Sequence, residues 1–252
     1  MERATINGSY NNNPLNIYIS KSVKDIMVVT VFVHGLYGVY DPKNDTDKIN
    51  ILTERLCTEN VSNCVNYNSS RDFEFDSGLS YIERSKAFQD KTFLQEFYDL
   101  EKVIFWLLDN CEEIFGIQKS KLVLNIHGNS LGGTLAVLLV DFFSDIKKIS
   151  VCGSGCSTNG STKPILSSLV DEDIILKTAS HFRGEFLLLQ GGEDLVVPLE
   201  SGVKILNSVA GFDKKHVIIS GANHNFSKIY GVDSSEVSEK FACTIFDFIA
   251  KM

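Results

Sequence analysis

"LNIHGNSLGG", residues 124–133, starts as part of an apolar run, KLVLNI, and ends in glycines around a single serine, after which LGGTLAVLLVDFF continues with the length and composition of a helix. A buried strand therefore feeds directly into a helix with Ser130 at the junction. Gly128 lies two residues before Ser130 and Gly132 two after. Side chains at those two positions would collide with neighbouring backbone in a sharp strand–turn–helix. The turn this spacing predicts holds the serine in a strained conformation, with its hydroxyl exposed above a helix N-terminus.

Working outward, IMVVTVFV (26–33) is too apolar for a one-faced strand and predicts one covered on both sides. A helix follows over about 45–61, a short strand over 64–67, and a polar, aromatic-dotted connection over 68–91. Phe93, Phe97, Leu100, Ile104 and Leu107 recur at helical spacing, so 92–115 reads as a long amphipathic helix with Thr92 as N-cap. KKISVCG (147–153) and EFLLLQGG (185–192) repeat the buried-strand signature. A helix over about 199–209, a buried strand in HVIIS (216–220) and a closing helix over 235–249 complete the chain. Such βα alternation predicts an α/β fold, a doubly wound, mostly parallel sheet with helices on both faces and the site at the carboxyl ends of its strands.

The chain has 252 residues, 44% hydrophobic and 22% charged, enough for a sizeable core, and it carries no interdomain linker or repeat, so residues 1–252 read as a single α/β domain. A formal net charge of −8 without any Lys/Arg-rich run argues against nucleic acid and anionic membrane as partners. The first twenty residues lack an apolar stretch of signal-peptide length, and no segment has the apolar run of a membrane span. The six cysteines form no C-x-x-C pair and read as reduced structural thiols. A cytoplasmic protein is the expectation.

Gly128-Asn129-Ser130-Leu131-Gly132 matches the G-x-S-x-G nucleophile elbow, and the sequence here resembles the α/β-hydrolase superfamily. The resemblance implies an acid after a later strand and a histidine after the last. GGEDLVVP (191–198) is similar to the loop that carries the acid, which makes Asp194 the candidate and Glu193 the alternative; His224 in SGANHNF is the histidine it implies. His34, His127, His181 and His216 read as structural by position. Backbone N–H groups of Leu36, from VFVHGLYG (31–38), and of Leu131 are the oxyanion donors the resemblance implies. The segment 154–184 leaves space for one or two short helices where many lipases and esterases insert a large lid.

These expectations combine into a serine hydrolase of carboxylic esters or thioesters, working through an acyl-enzyme and needing no metal and no cofactor: Ser130 attacks, His224 moves the proton and Asp194 orients it. Acyl transfer to an acceptor other than water uses the same residues, and a ligand-binding or regulatory protein on the same fold is the alternative of a different class. The partner is a small-molecule ester or thioester, small to medium and soluble. Its pocket is expected to draw on Tyr37 and on 68–91, which mixes Arg71, Asp72, Glu74, Arg84 and Lys86 with Phe73, Phe75 and Tyr81. Arg71 and Arg84 are the candidate binding residues there.

Overall fold

The computed structural model describes residues 1–72, 79–158, 160–227 and 234–251. Phe73, Glu74 and Phe75 of the predicted connection lie outside the described residues. In chain order the elements are β1 (Glu2–Asn7), β2 (Pro14–Ser20), β3 (Val28–Val33), α1 (Lys48–Thr58), β4 (Asn63–Asn68), α2 (Tyr81–Lys86), α3 (Phe93–Phe115), β5 (Val123–Asn129), α4 (Leu131–Leu138), β6 (Ile146–Cys152), α5 (Pro164–Ser167), α6 (Glu172–Ala179), β7 (Glu185–Gly191), α7 (Leu199–Ser208), β8 (Lys214–Ile219) and α8 (Ser234–Ala250). The strands form one sheet in the order β1-β2-β4-β3-β5-β6-β7-β8. From β4 to β8 every pairing is parallel, whereas β1 and β2 pair antiparallel with each other and β2 with β4.

Helices cover both faces. Leu100, Ile104 and Leu107 of α3 and Leu135 of α4 are buried in one apolar cluster with Val31 and Ile126; Leu52 and Leu56 of α1 and Phe241 and Ile245 of α8 are buried in a second cluster with Phe32 and Leu189. Full burial of each such side chain contributes about 1.5–3 kcal/mol, which is why the buried strands read as continuous apolar runs. Thr92 caps α3 in a reciprocal capping box with Gln95, and Gly116 ends it in the left-handed region at φ 69°.

The hairpin β1–β2 was not anticipated, although Leu15, Ile17 and Ile19 alternate buried with partly exposed Asn16, Tyr18 and Ser20. The connection 68–91 contains the helix α2, started by a Ser80–Glu83 capping box. After Leu138 the predicted helix tightens into a 3₁₀ turn over Leu139–Asp141. Strand β8, expected to be buried, is the sheet's edge: Lys214, Lys215 and His216 are exposed, and among the described residues no strand pairs beyond it.

One polar cluster is buried within this frame. Lys91 Nζ lies 2.6 Å from Asp99 Oδ2 and 3.5 Å from Glu96 Oε1, and donates to the Ser70 carbonyl at 2.8 Å. Asp99 also accepts the backbone N–H of Ser9 at 2.6 Å and of Ser70 at 2.7 Å. Burial pushes the Asp99 carboxyl up, but the Lys91 charge and these hydrogen bonds outweigh it and hold it below the ordinary carboxylate value. The cluster ties the hairpin, the 68–91 connection and α3 together. No helix among the described residues is long and apolar enough to cross a membrane.

Candidate active site

Strand β5 turns into α4 at Ser130, whose backbone sits at φ 52°, ψ −120°. A non-glycine residue there costs on the order of 1–3 kcal/mol and persists because the surroundings over-determine it. A Cβ on Gly128 would stand 2.4 Å from the Gly132 carbonyl oxygen, and one on Gly132 would stand 2.2 Å from that of Val33. The Ser130 N–H donates to the Cys152 carbonyl at 2.7 Å, pinning the turn to β6.

The loops after β7 and β8 bring two more groups to this turn. His224 Nε2 lies 3.0 Å from Ser130 Oγ, and its Nδ1 lies 2.8 Å from Asp194 Oδ2. The other Asp194 oxygen accepts the backbone N–H groups of Val196 at 2.8 Å and Val197 at 3.0 Å. Although burial pushes the Asp194 carboxyl up, the His224 hydrogen bond and these two amides hold it below the ordinary value, so it stays ionised beside the imidazole. Glu193 is exposed, and it is its backbone N–H, bonded to the Ala222 carbonyl, that fixes its place.

Residues 35–38 close a tight turn, with the Gly38 N–H on the Gly35 carbonyl at 2.9 Å and Tyr37 at φ 55°. A Cβ on Gly35 would lie 3.0 Å from Ser130 Cβ, so this turn is laid directly against the serine. Leu131 begins α4 beside it. Among the described residues the N–H groups of Leu36 and Leu131 have no acceptor.

The other histidines stand apart from this chain of hydrogen bonds. His127 is fully buried with Nδ1 2.8 Å from Ser150 Oγ, and burial, helped by the Lys48 charge, lowers it to about 3. His181 pairs with Asp141 at the surface, and His216 bonds Gln190 Oε1 at 2.8 Å. His34 stacks against Tyr67 with ring centroids 5.4 Å apart, and burial lowers it too. No group of His, Cys, Asp and Glu among the described residues is arranged to hold a metal ion.

A cavity of about 730 Å³ opens over Ser130 and His224. Tyr37 and Arg84 line it, as does Leu36; Arg71 does not, because its stretch of chain turns toward the hairpin, where Tyr10 and Asn11 bond its neighbour Asp72. Tyr81, from the 68–91 connection expected to frame the pocket, lines it too, as do Lys163 and Lys48, which were not anticipated because nothing local in the sequence separates them from solvated surface residues. Segment 154–184 supplies the short helices α5 and α6, with Leu166 and Leu169 on the cavity wall.

No family model matches the sequence, and comparison with curated proteins gives no match. Solved structures do match over almost the whole chain. A soluble variant of monoglyceride lipase from Saccharomyces cerevisiae aligns with a TM-score of 0.71 at 10% identity, covering 98% of this chain and 94% of that one. The esterase domain of a Rhodothermus marinus protein aligns at 0.63 and 16%, covering 98% of each chain. The chain has the α/β-hydrolase fold. A third structure of that fold, an α/β serine hydrolase without lid from Xanthomonas campestris, aligns at 0.59 and 13%, covering 98% and 93%. Within the α/β-hydrolase sheet, Ser130, Asp194 and His224 follow β5, β7 and β8, all at the carboxyl ends of parallel strands.

Proposed function

We propose that the protein is a serine hydrolase of carboxylic esters or thioesters of small to medium, soluble substrates, acting in the cytoplasm. The observation that carries this reading is the unbroken chain from Ser130 Oγ through the two ring nitrogens of His224 to Asp194, at 3.0 and 2.8 Å. In the reaction Ser130 Oγ attacks the acyl carbonyl and passes its proton to His224 Nε2. Asp194 holds the Nδ1–H and stabilises the imidazolium, while the N–H groups of Leu36 and Leu131 receive the oxyanion. Collapse expels the alcohol or thiol, which takes the proton from Nε2, and water then repeats the sequence to free the acid and restore Ser130. The short 154–184 segment and the bounded cavity favour a dissolved substrate over a lipid surface.

A fluorophosphonate probe tests the nucleophile. It should label Ser130 stoichiometrically in the wild type and not in Ser130→Ala, which should also lose at least about 1000-fold in kcat toward p-nitrophenyl and thioester substrates. An unlabelled Ser130, or a rate that jumps only when a triglyceride passes its solubility limit, would set the reading aside.

A further inference from the structure

The net charge of −8 gives this molecule a surface that repels anions on average, yet its cavity has the opposite balance. Among the described residues the cavity is lined by the cations Lys48, Arg84 and Lys163, and by one carboxylate, Asp47. Asp47 is already engaged as the N-cap of α1, accepting the N–H groups of Ile49 at 2.8 Å and Asn50 at 3.3 Å. Lys48 turns its Nζ to the Asn225 carbonyl and lies 4.7 Å above the Phe241 ring.

Lys163 is held differently. Its Nζ bonds the Tyr81 hydroxyl and lies 4.9 Å over the Tyr81 ring and 5.8 Å over that of Tyr37. Those partners are a neutral phenol and two aromatic rings; among the described residues no carboxylate pairs with the ammonium, and two further N–H donors remain. Part of its support is buried. Tyr37 is buried, its ring 5.4 Å from Phe88 and 5.6 Å from Tyr81, and its backbone belongs to the turn that touches Ser130. A fixed positive charge thus stands one tyrosine ring away from the turn that would hold the oxyanion.

We infer that the aromatic wall of Tyr37 and Tyr81 with Lys163 is a carboxylate subsite, so that the preferred substrate is an ester or thioester carrying a free carboxylate on its acyl or its alcohol half. A single lysine matches one negative charge. Lys163 is a specificity residue here and takes no part in bond breaking.

This inference rests on the ester-hydrolase reading, and two measurements separate their failures. In the first, matched pairs of esters differ only in ending with a carboxylate or a methyl group, in an acyl series and in an alcohol series. In one series the wild type should show kcat/KM about five- to tenfold higher for the acid, a ratio that shrinks with salt, falls to about one in Lys163→Met and survives in Lys163→Arg. Equal or better turnover of the neutral partner in both series, or an undiminished ratio in Lys163→Met, overturns the subsite. In the second, calorimetry compares hexanoate with hexanamide on Ser130→Ala protein, which needs no turnover. Tighter binding of hexanoate that disappears with Lys163→Met supports the subsite even if every ester proves inert and only the hydrolase reading fails; equal binding of the two overturns it.

Discussion

Around Ser130, geometry is enforced by backbone. A methyl group on Gly128 or Gly132 would meet main chain at 2.2–2.4 Å, and one on Gly35 would meet Ser130 Cβ at 3.0 Å, all of these residues lying on β3, the turn after it, β5 or the start of α4. On the cavity wall, the side chain of Tyr37, from that same turn, meets Tyr81 and Lys163 from two distant segments at about 5–6 Å. The floor therefore tolerates almost no substitution, because backbone cannot yield. The cover is held by side chains that can repack, so it is the part free to change with the substrate while the reacting groups stay fixed.

The sharpest way to break this comparison is at the acid. Asp194→Asn should lower kcat by about 10⁴-fold through the wrong imidazole tautomer, whereas exposed Glu193→Gln should stay within about twofold; steady-state rates on one p-nitrophenyl ester decide, and the reverse order would move the acid. Next comes the anchor of the cover. Lys91→Met leaves Asp99 buried without its cation and should cost about 3–5 kcal/mol in urea unfolding, more than Lys91→Met paired with Asp99→Asn.

His127, under the floor, gives a pH signature. It is neutral in the native state down to about 3 and titrates near 6.5 when unfolded, so unfolding takes up a proton between those values. Stability should therefore fall as pH drops from 6.5 toward 3, by up to about 1.4 kcal/mol per unit, and His127→Gln should flatten that limb in pH-dependent melts. The smallest effect is on the rim: Arg84→Ala should raise KM by about two- to fivefold with unchanged Tm, and Arg71→Ala should do less because Arg71 does not line the cavity.

Much of the floor was legible in the sequence because its constraints are local. A glycine two residues either side of a serine, or an apolar run on both faces of a strand, leaves a mark within a few positions. Thr92 was readable as the N-cap of α3 for the same reason. Leu15, Ile17 and Ile19 also left a period-two pattern, but the polar residues between them hid a one-faced strand in a region read for targeting signals. Glu96 and Asp99 carried a weaker sign, two carboxylates on the apolar face of α3. For Lys163 there was none, and Tyr81 stood only as one aromatic residue of the 68–91 connection: 82 residues apart, the two are paired only when the sheet and the 154–184 segment bring them together.

The hairpin β1–β2 has a consequence for the order of synthesis. It leaves the ribosome before its partners, since β2 finds its sheet partner in β4 and Ser9 finds its acceptor in Asp99. At roughly 5–20 residues per second, the hairpin waits some seconds for β4 and longer for α3. During that interval an apolar ladder of Leu15, Ile17 and Ile19 is uncovered, and Arg3, Asn12, Asn13, Asn16 and Lys21 around it are the groups that keep the nascent chain from pairing with its neighbours on the same messenger.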